Sequence, residues 1–122
     1  MSRVIVVGSG AAGMAAALSA ATEGAQVTVL EASDFLGGTT TLSGGAIWVP
    51  ANPWAAAAGI DDHAEDAVRY VRNLALGDFD RPLAEHYVRT ASRVIRGLED
   101  RTALRWQWQP GWPDYHLSLI HI

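Results

Sequence analysis

The sequence predicts an α/β fold: a β-α-β unit followed by a helical segment, together forming an incomplete doubly wound domain. Three observations carry this. Val4-Ile5-Val6-Val7 is an unbroken β-branched run, preceded by Arg3 and stopped by Gly8, the pattern of a strand buried on both faces of a parallel sheet. Ala11 to Glu23 is rich in Ala, Leu and Met, a helix-forming composition with Gly24 as its natural stop. Val27-Thr28-Val29-Leu30 is a second short strand, ended by Glu31. Strand, helix and strand within about thirty residues make a crossover unit, which is nearly always right-handed.

The elements that follow are read in the same way. Ser33 to Pro53 is a long loop rich in Gly, Thr and Ser, and loops of that length in compact domains are usually functional. Trp54 to Ala58 gives one or two helical turns, stopped by Gly59. A helix is predicted after Asp61-Asp62, either of which can cap it, with Glu65 completing a capping box with Asp62. Its apolar stripe is Ala64, Ala67, Val68, Val71 and Leu74. The next helix starts at Asp80-Arg81-Pro82, with proline in the first turn where its missing N–H costs least. Its stripe is Leu83, Tyr87, Ala91, Val94, Ile95 and Leu98, a 3.6-residue rhythm. Leu104, Trp106 and Trp108 alternate with polar residues, which predicts a half-buried strand.

Composition narrows the function. The chain has 122 residues, 49% of them apolar and 18% charged, a globular composition. It has no Cys, which excludes disulfides, thiolate metal sites and Cys nucleophiles. All nine cations are Arg and are scattered along the chain, and the net charge is −4. Nucleic-acid binding, which needs a clustered basic surface, is therefore not expected. The N-terminal apolar run is too short for a signal segment or a membrane span, so a cytoplasmic location is expected. His63, His86, His116 and His121 show no metal-ligand spacing, and no metal is expected.

The chemistry lies in the glycines. Gly8-Ser9-Gly10-Ala11-Ala12-Gly13 fits G-x-G-x-x-G, a weak motif by itself. Gly8 permits the turn out of the strand, Gly10 lets the backbone approach a pyrophosphate, and Gly13 lets helix and strand pack closely. The helix N-terminus adds free N–H groups and partial positive charge. Its context strengthens the motif into a Rossmann-like dinucleotide site: a strand before it, a helix after it, and Glu31 at the end of the next strand. A carboxylate there accepts hydrogen bonds from ribose hydroxyls and repels a 2′-phosphate, which disfavours NADP. Gly37-Gly38-Thr39-Thr40 and Ser43-Gly44-Gly45 then supply glycines that let the main chain pass against a flat ligand, and hydroxyls that can bond to it. This favours FAD over NAD, because an NAD-only domain would move directly into another helix.

From Val4 to Val49 the sequence resembles the start of the fumarate reductase and 3-ketosteroid dehydrogenase flavoprotein superfamily. The stretch from Gly37-Gly38-Thr39-Thr40 through Ser43-Gly44-Gly45 to Ile47-Trp48-Val49-Pro50 is most similar to the 3-ketosteroid Δ1-dehydrogenase-like branch, and the resemblance extends to about His116. It implies an FAD-dependent oxidoreductase that removes a proton alpha to a ketone and passes a hydride to flavin N5. The implied cofactor-binding set is Gly8, Ser9, Gly10, Ala11, Ala12, Gly13, Glu31, Ala32, Gly37, Gly38, Thr39, Thr40, Ser43, Gly44 and Gly45. Tyr115, in Pro113-Asp114-Tyr115-His116, is the implied catalytic residue, assisting and orienting a base at a ketosteroid-like substrate. Covalent family members tether flavin through a His near the position of Gly38. No His or Cys lies between Ser33 and Pro53, so the FAD is expected to be non-covalent.

The expected organisation is an FAD-binding β-α-β unit and flavin loop over 1–53, and a helical segment with the Trp-rich strand over 54–116. A tail over 117–122 is foreign to the family pattern. The chain is thus expected to be an N-terminal fragment, inactive alone, with an unidentified electron acceptor. A fumarate reductase-type flavoprotein, or a dinucleotide-binding fragment without chemistry, is the alternative reading. Trp48 is expected in the core near the flavin, and Trp54, Trp106, Trp108 and Trp112 in packing.

Overall fold

The structure, a computed structural model, describes residues 1–111. The chain forms two compact units, Met1–Trp48 and Val49–Ile122. The Pro113 to His116 segment, Trp112, His121 and the tail over 117–122 lie outside the described residues.

The first unit is the β-α-β crossover. Strand β1 (Arg3–Val7) pairs in parallel with β2 (Gln26–Leu30), from Arg3 opposite Gln26 to Val7 opposite Leu30. Helix α1 (Ala11–Thr22) joins them and packs on both strands. It ends where Gly24, at φ +82, takes the left-handed conformation that glycine adopts most cheaply. The N–H groups of Gly24 and Ala25 then bond to the carbonyls of Ala21 and Ala20, closing the helix as a Schellman motif.

Side chains on the α1 side of the sheet are covered. Val6 and Ala17 are buried, and Val4, Val27 and Val29 are half-buried. The other face corrects the expectation that β1 is buried on both sides: Ile5 is 68% and Val7 82% exposed. The β-branched run does form the strand, but among the described residues a helix covers only one face of the pair. Within the loop predicted from Ser33 to Pro53, Gly38–Leu42 winds into a short 3-10 helix.

The second unit is helical. Helix α2 (Pro53–Ala57) is capped by Asn52, whose Oδ1 accepts from Ala55 N at 2.8 Å, and Gly59 at φ +79 follows it. Helices α3 (Ala64–Leu74) and α4 (Arg81–Arg101) pack together over buried Ala67, Ala84, Val88 and Ala91. Asp80 caps α4 as expected, accepting from Leu83 N at 2.9 Å, with proline in the first turn.

Three expectations in this unit are corrected. Neither Asp61 nor Asp62 caps α3. The N-cap position is His63, with no side-chain cap bond. Asp62 Oδ2 instead accepts from Ala51 N at 2.7 Å, satisfying the backbone of a residue at φ 47. The stripe on α4 agrees with the predicted one at Ala91, which is buried, and departs from it elsewhere. Leu83, Tyr87 and Val94 are exposed while Ala84 and Val88 are buried, because burial follows the face that packs against a neighbouring helix, and α4 packs against α3. Residues 104–109 form no strand. Trp106 N donates to Glu99 Oε1 at 3.0 Å, which ties this segment back to α4 rather than to a sheet. Its indole N–H is buried without an acceptor among the described residues.

Candidate dinucleotide-binding site

The glycine turn is built as its residue types require. Gly8 N donates to Leu30 O at 2.7 Å, extending the parallel ladder one step and setting the turn beside the end of β2. Gly8 itself is left-handed at φ +92. At Gly13 a Cβ would lie 2.0 Å from the Gly8 carbonyl oxygen, so only glycine lets α1 start this close to the strand. A Cβ on Gly10 would point to Thr40 Oγ1 and Gly37 O, 3.8 and 3.9 Å away. It would stand in the gap between the turn and the loop.

The start of α1 carries donors that the helix cannot use itself. Ala11 N donates to Thr40 Oγ1 at 3.1 Å. Among the described residues Ala12 N and Gly13 N have no acceptor. Two adjacent N–H groups at the positive end of a helix suit a phosphate oxygen.

Glu31 closes the cluster from the end of β2. Its Oε2 accepts from Ser9 N at 2.9 Å and from Ser9 Oγ at 2.5 Å, and its Oε1 accepts from Ser33 N at 3.0 Å. These donors favour the charged form and hold the carboxyl at about 2, down from the ordinary 4.5. The Ser9 hydroxyl contributes most, followed by the Ser33 and Ser9 amides, with a smaller part from the Ala32 amide and desolvation opposing. Glu31 is thus an acceptor only, as a ribose hydroxyl requires.

The loop joins this cluster at its first glycines. Gly37 N donates to Ser9 Oγ at 2.7 Å. Gly37 is left-handed at φ +109, and a Cβ there would lie 2.1 Å from Thr41 Cγ2. Gly38 lies against Gly10, whose Cα would be 3.5 Å from an added Cβ. Of the sequence-predicted residues, Gly8 to Gly13, Glu31, Ala32, Gly37, Gly38 and Thr40 therefore come together. Thr39 and Gly44 are exposed, and Ser43 and Gly45 bond within their own loop, Ser43 Oγ donating to Thr40 O and accepting from Gly45 N. Trp48 is exposed rather than in a core. Tyr115 lies outside the described residues. Ser33 was not anticipated. Its signal in the sequence is a serine two positions after the strand-end acid, where its N–H can turn back onto that side chain.

The second unit holds an open cavity of about 650 Å3, lined by Asn52, Arg89, Ser92, Arg93, Arg96 and Asp100 among others. It corrects the view of the arginines as scattered, since positions 89, 93 and 96 fall on one face of α4 at helical spacing. Among the described residues, none of the sequence-predicted site residues lines it. Among the described residues no group of His, Asp or Glu could hold a metal ion, and no helix is long and apolar enough to cross a membrane.

What the turn, the free amides and the ionised strand-end glutamate define is a dinucleotide-binding β-α-β unit. Residues 3–118 match the family described as FAD binding domain, and the chain belongs to that family. It is 40% identical over 116 residues to the 4-oxocyclohex-2-ene-1-carboxylate 5-dehydrogenase of Sinomonas cyclohexanicum, covering 95% of this chain and 19% of that one. It is 37% identical over 113 residues to the 3-oxosteroid 1-dehydrogenase of Rhodococcus opacus, covering 93% and 22%. A solved structure, the 3-ketosteroid delta1-dehydrogenase from Sterolibacterium denitrificans in complex with 1,4-androstadiene-3,17-dione, superposes with a TM-score of 0.75 at 33% identity, covering 84% of this chain and 18% of that chain. The chain thus spans about a fifth of the length of these relatives. Its cofactor is FAD.

Proposed function

We propose that the chain binds FAD non-covalently in a Rossmann-like site, within a flavoprotein that dehydrogenates cyclic ketones of the 3-ketosteroid type. The observation that carries this is one cluster holding both an ionised Glu31 and two amides, Ala12 N and Gly13 N, that have no acceptor among the described residues. That pairing matches the two polar parts of an adenine dinucleotide, ribose and pyrophosphate. Ala12 and Gly13 donate to the pyrophosphate, and Gly10 leaves it room. Glu31 accepts from the adenosine ribose, and Ala32 supports the carboxylate through its amide. Gly37, Gly38, Thr39, Thr40, Ser43, Gly44 and Gly45 form the wall along the flavin half. A covalent tether has no candidate there, because no His or Cys occurs between Ser33 and Pro53.

The chemistry supplied by bound FAD is acceptance of a hydride at flavin N5. For this chain's own part, Tyr115 is assigned to the substrate side, its phenol oxygen assisting and orienting the group that removes a proton alpha to the ketone. The ketone assignment rests on the relatives, which act on a 3-oxosteroid and on an oxocyclohexene carboxylate. The substrate is accordingly a ring ketone with a carbon–carbon bond beside the carbonyl to oxidise. Domain limits of 1–53, 54–116 and 117–122 follow from the same resemblance.

The test is turnover of 3-ketosteroids and oxocyclohexane carboxylates with an artificial electron acceptor. Dehydrogenation with either substrate supports the reading. No turnover, together with fumarate reduction by a reduced dye, moves the protein to the fumarate reductase-type branch. Replacing Gly38 and Gly44 with bulky residues separates FAD from NAD: FAD binding is lost under this proposal, whereas an NAD site would be left intact.

A further inference from the structure

We propose that Ser9 is a positioning residue for the cofactor, its hydroxyl bridging the ribose-binding Glu31 and the first glycine of the flavin loop. The inference rests on the assignment of Glu31 to the FAD ribose. Ser9 is a middle residue of the glycine motif and is only 1% exposed, so its side chain has no solvent role. Its hydroxyl has two partners on opposite sides. It accepts from Gly37 N at 2.7 Å, and an amide has only a proton to give. The hydroxyl proton is thereby directed to Glu31 Oε2, at 2.5 Å. The Ser9 amide donates to that same oxygen at 2.9 Å.

Two consequences follow. Oε2 is taken up by the Ser9 amide and hydroxyl, while Oε1, which accepts from Ser33 N, is left to face a ribose hydroxyl. Ser9 therefore selects which carboxylate oxygen faces the cofactor. The second consequence concerns the loop. Gly37 is held to the turn by this bond, and Thr40 Oγ1 accepts from Ala11 N at 3.1 Å. Loop residues 37–40 are thus anchored twice to the motif that binds the pyrophosphate. A ligand that fixes Glu31 also fixes the start of the loop.

The same arrangement explains why the carboxyl is held at about 2, with the Ser9 hydroxyl as the largest cause. Without that hydroxyl the carboxyl moves back toward 4.5. A group that merely filled space would not shift it.

The experiment is titration of FAD into the purified, flavin-stripped protein as pH is lowered, for wild type, Ser9→Ala, Glu31→Gln and the double variant. Ser9→Gly serves as a second probe that keeps the backbone amide and adds no atoms, should the alanine variant fold poorly. Ser9→Ala is expected to weaken FAD about tenfold near neutral pH, the effect of one charge-assisted hydrogen bond. Its affinity should fall further as pH approaches 4.5, where the wild type stays flat. Ser9→Ala should weaken binding much less in the Glu31→Gln background than in the wild type, because only the loop bond to Gly37 is then left to lose. A Ser9 effect that is flat in pH and adds in full to that of Glu31→Gln would overturn the inference, as would unchanged affinity in Ser9→Ala. If Glu31→Gln itself binds FAD like the wild type, the ribose assignment fails and this inference fails with it.

Discussion

At the scale of single residues, two positions carry the sharpest consequences. The Glu31 carboxyl is held at about 2, below its ordinary 4.5, so it contributes stability while ionised in the folded chain. That contribution is fully present above pH 4.5 and is lost as pH falls from 4.5 through about 2. Acid unfolding followed by circular dichroism should therefore show a loss of stability in that window. Glu31→Gln should remove this pH dependence, and an unchanged acid transition in the variant would contradict the assignment. Gly13 is constrained by space rather than charge. Its Cβ would meet the Gly8 oxygen at 2.0 Å, so Gly13→Ala should cost about 2–3 kcal/mol, as overpacking against backbone does. A urea midpoint equal to that of the wild type would show that the turn relaxes freely.

The elements show what sequence periodicity can and cannot reveal. β1, α1 and β2 were legible because their limits are marked by glycines and by Glu31, which act locally. Asp80 and Pro82 marked the start of α4 for the same reason. Burial was less legible, because it depends on what packs against an element. The buried stripe of α4, through Ala84 and Val88 instead of Leu83 and Val94, depends on the packing of α4 against α3. Nor can a pattern distinguish an aspartate that caps a helix from one that reaches back eleven residues, as Asp62 does to Ala51. This last difference is measurable. Asp62→Ala should destabilise the second unit by about 1 kcal/mol through the lost hydrogen bond while leaving the helical signal of the folded protein unchanged. Fraying of α3 in amide exchange would instead assign Asp62 to the cap. The site itself was legible wherever a glycine or an acid was needed at a fixed spacing. Ser33 and the bridging geometry of Ser9 were not, since any small polar residue satisfies the motif and only coordinates show which groups meet.

For the whole molecule, the described residues leave apolar surface uncovered on a pair of strands. Ile5, Val7 and Leu30 are exposed on the sheet, and Met14 on α1. Two parallel strands with one bare face make a weak sheet, and contiguous apolar patches mark surfaces that bind something. The 122-residue chain on its own should therefore bind the dye ANS strongly and self-associate. Ile5→Thr with Val7→Thr should reduce both effects, whereas a monomer that ignores the dye would contradict the exposed face. Whether the molecule holds FAD, and holds it without a covalent bond, is read from the flavin itself. The purified protein is precipitated with acid, and the supernatant and pellet are analysed separately for FAD. Stoichiometric FAD should be released into the supernatant from the wild type and be lost in the Glu31→Gln, Gly38→Leu double variant. Flavin that stays with the pellet would contradict non-covalent binding. A protein that carries no FAD and takes none up, or that binds NAD in its place, would contradict the site.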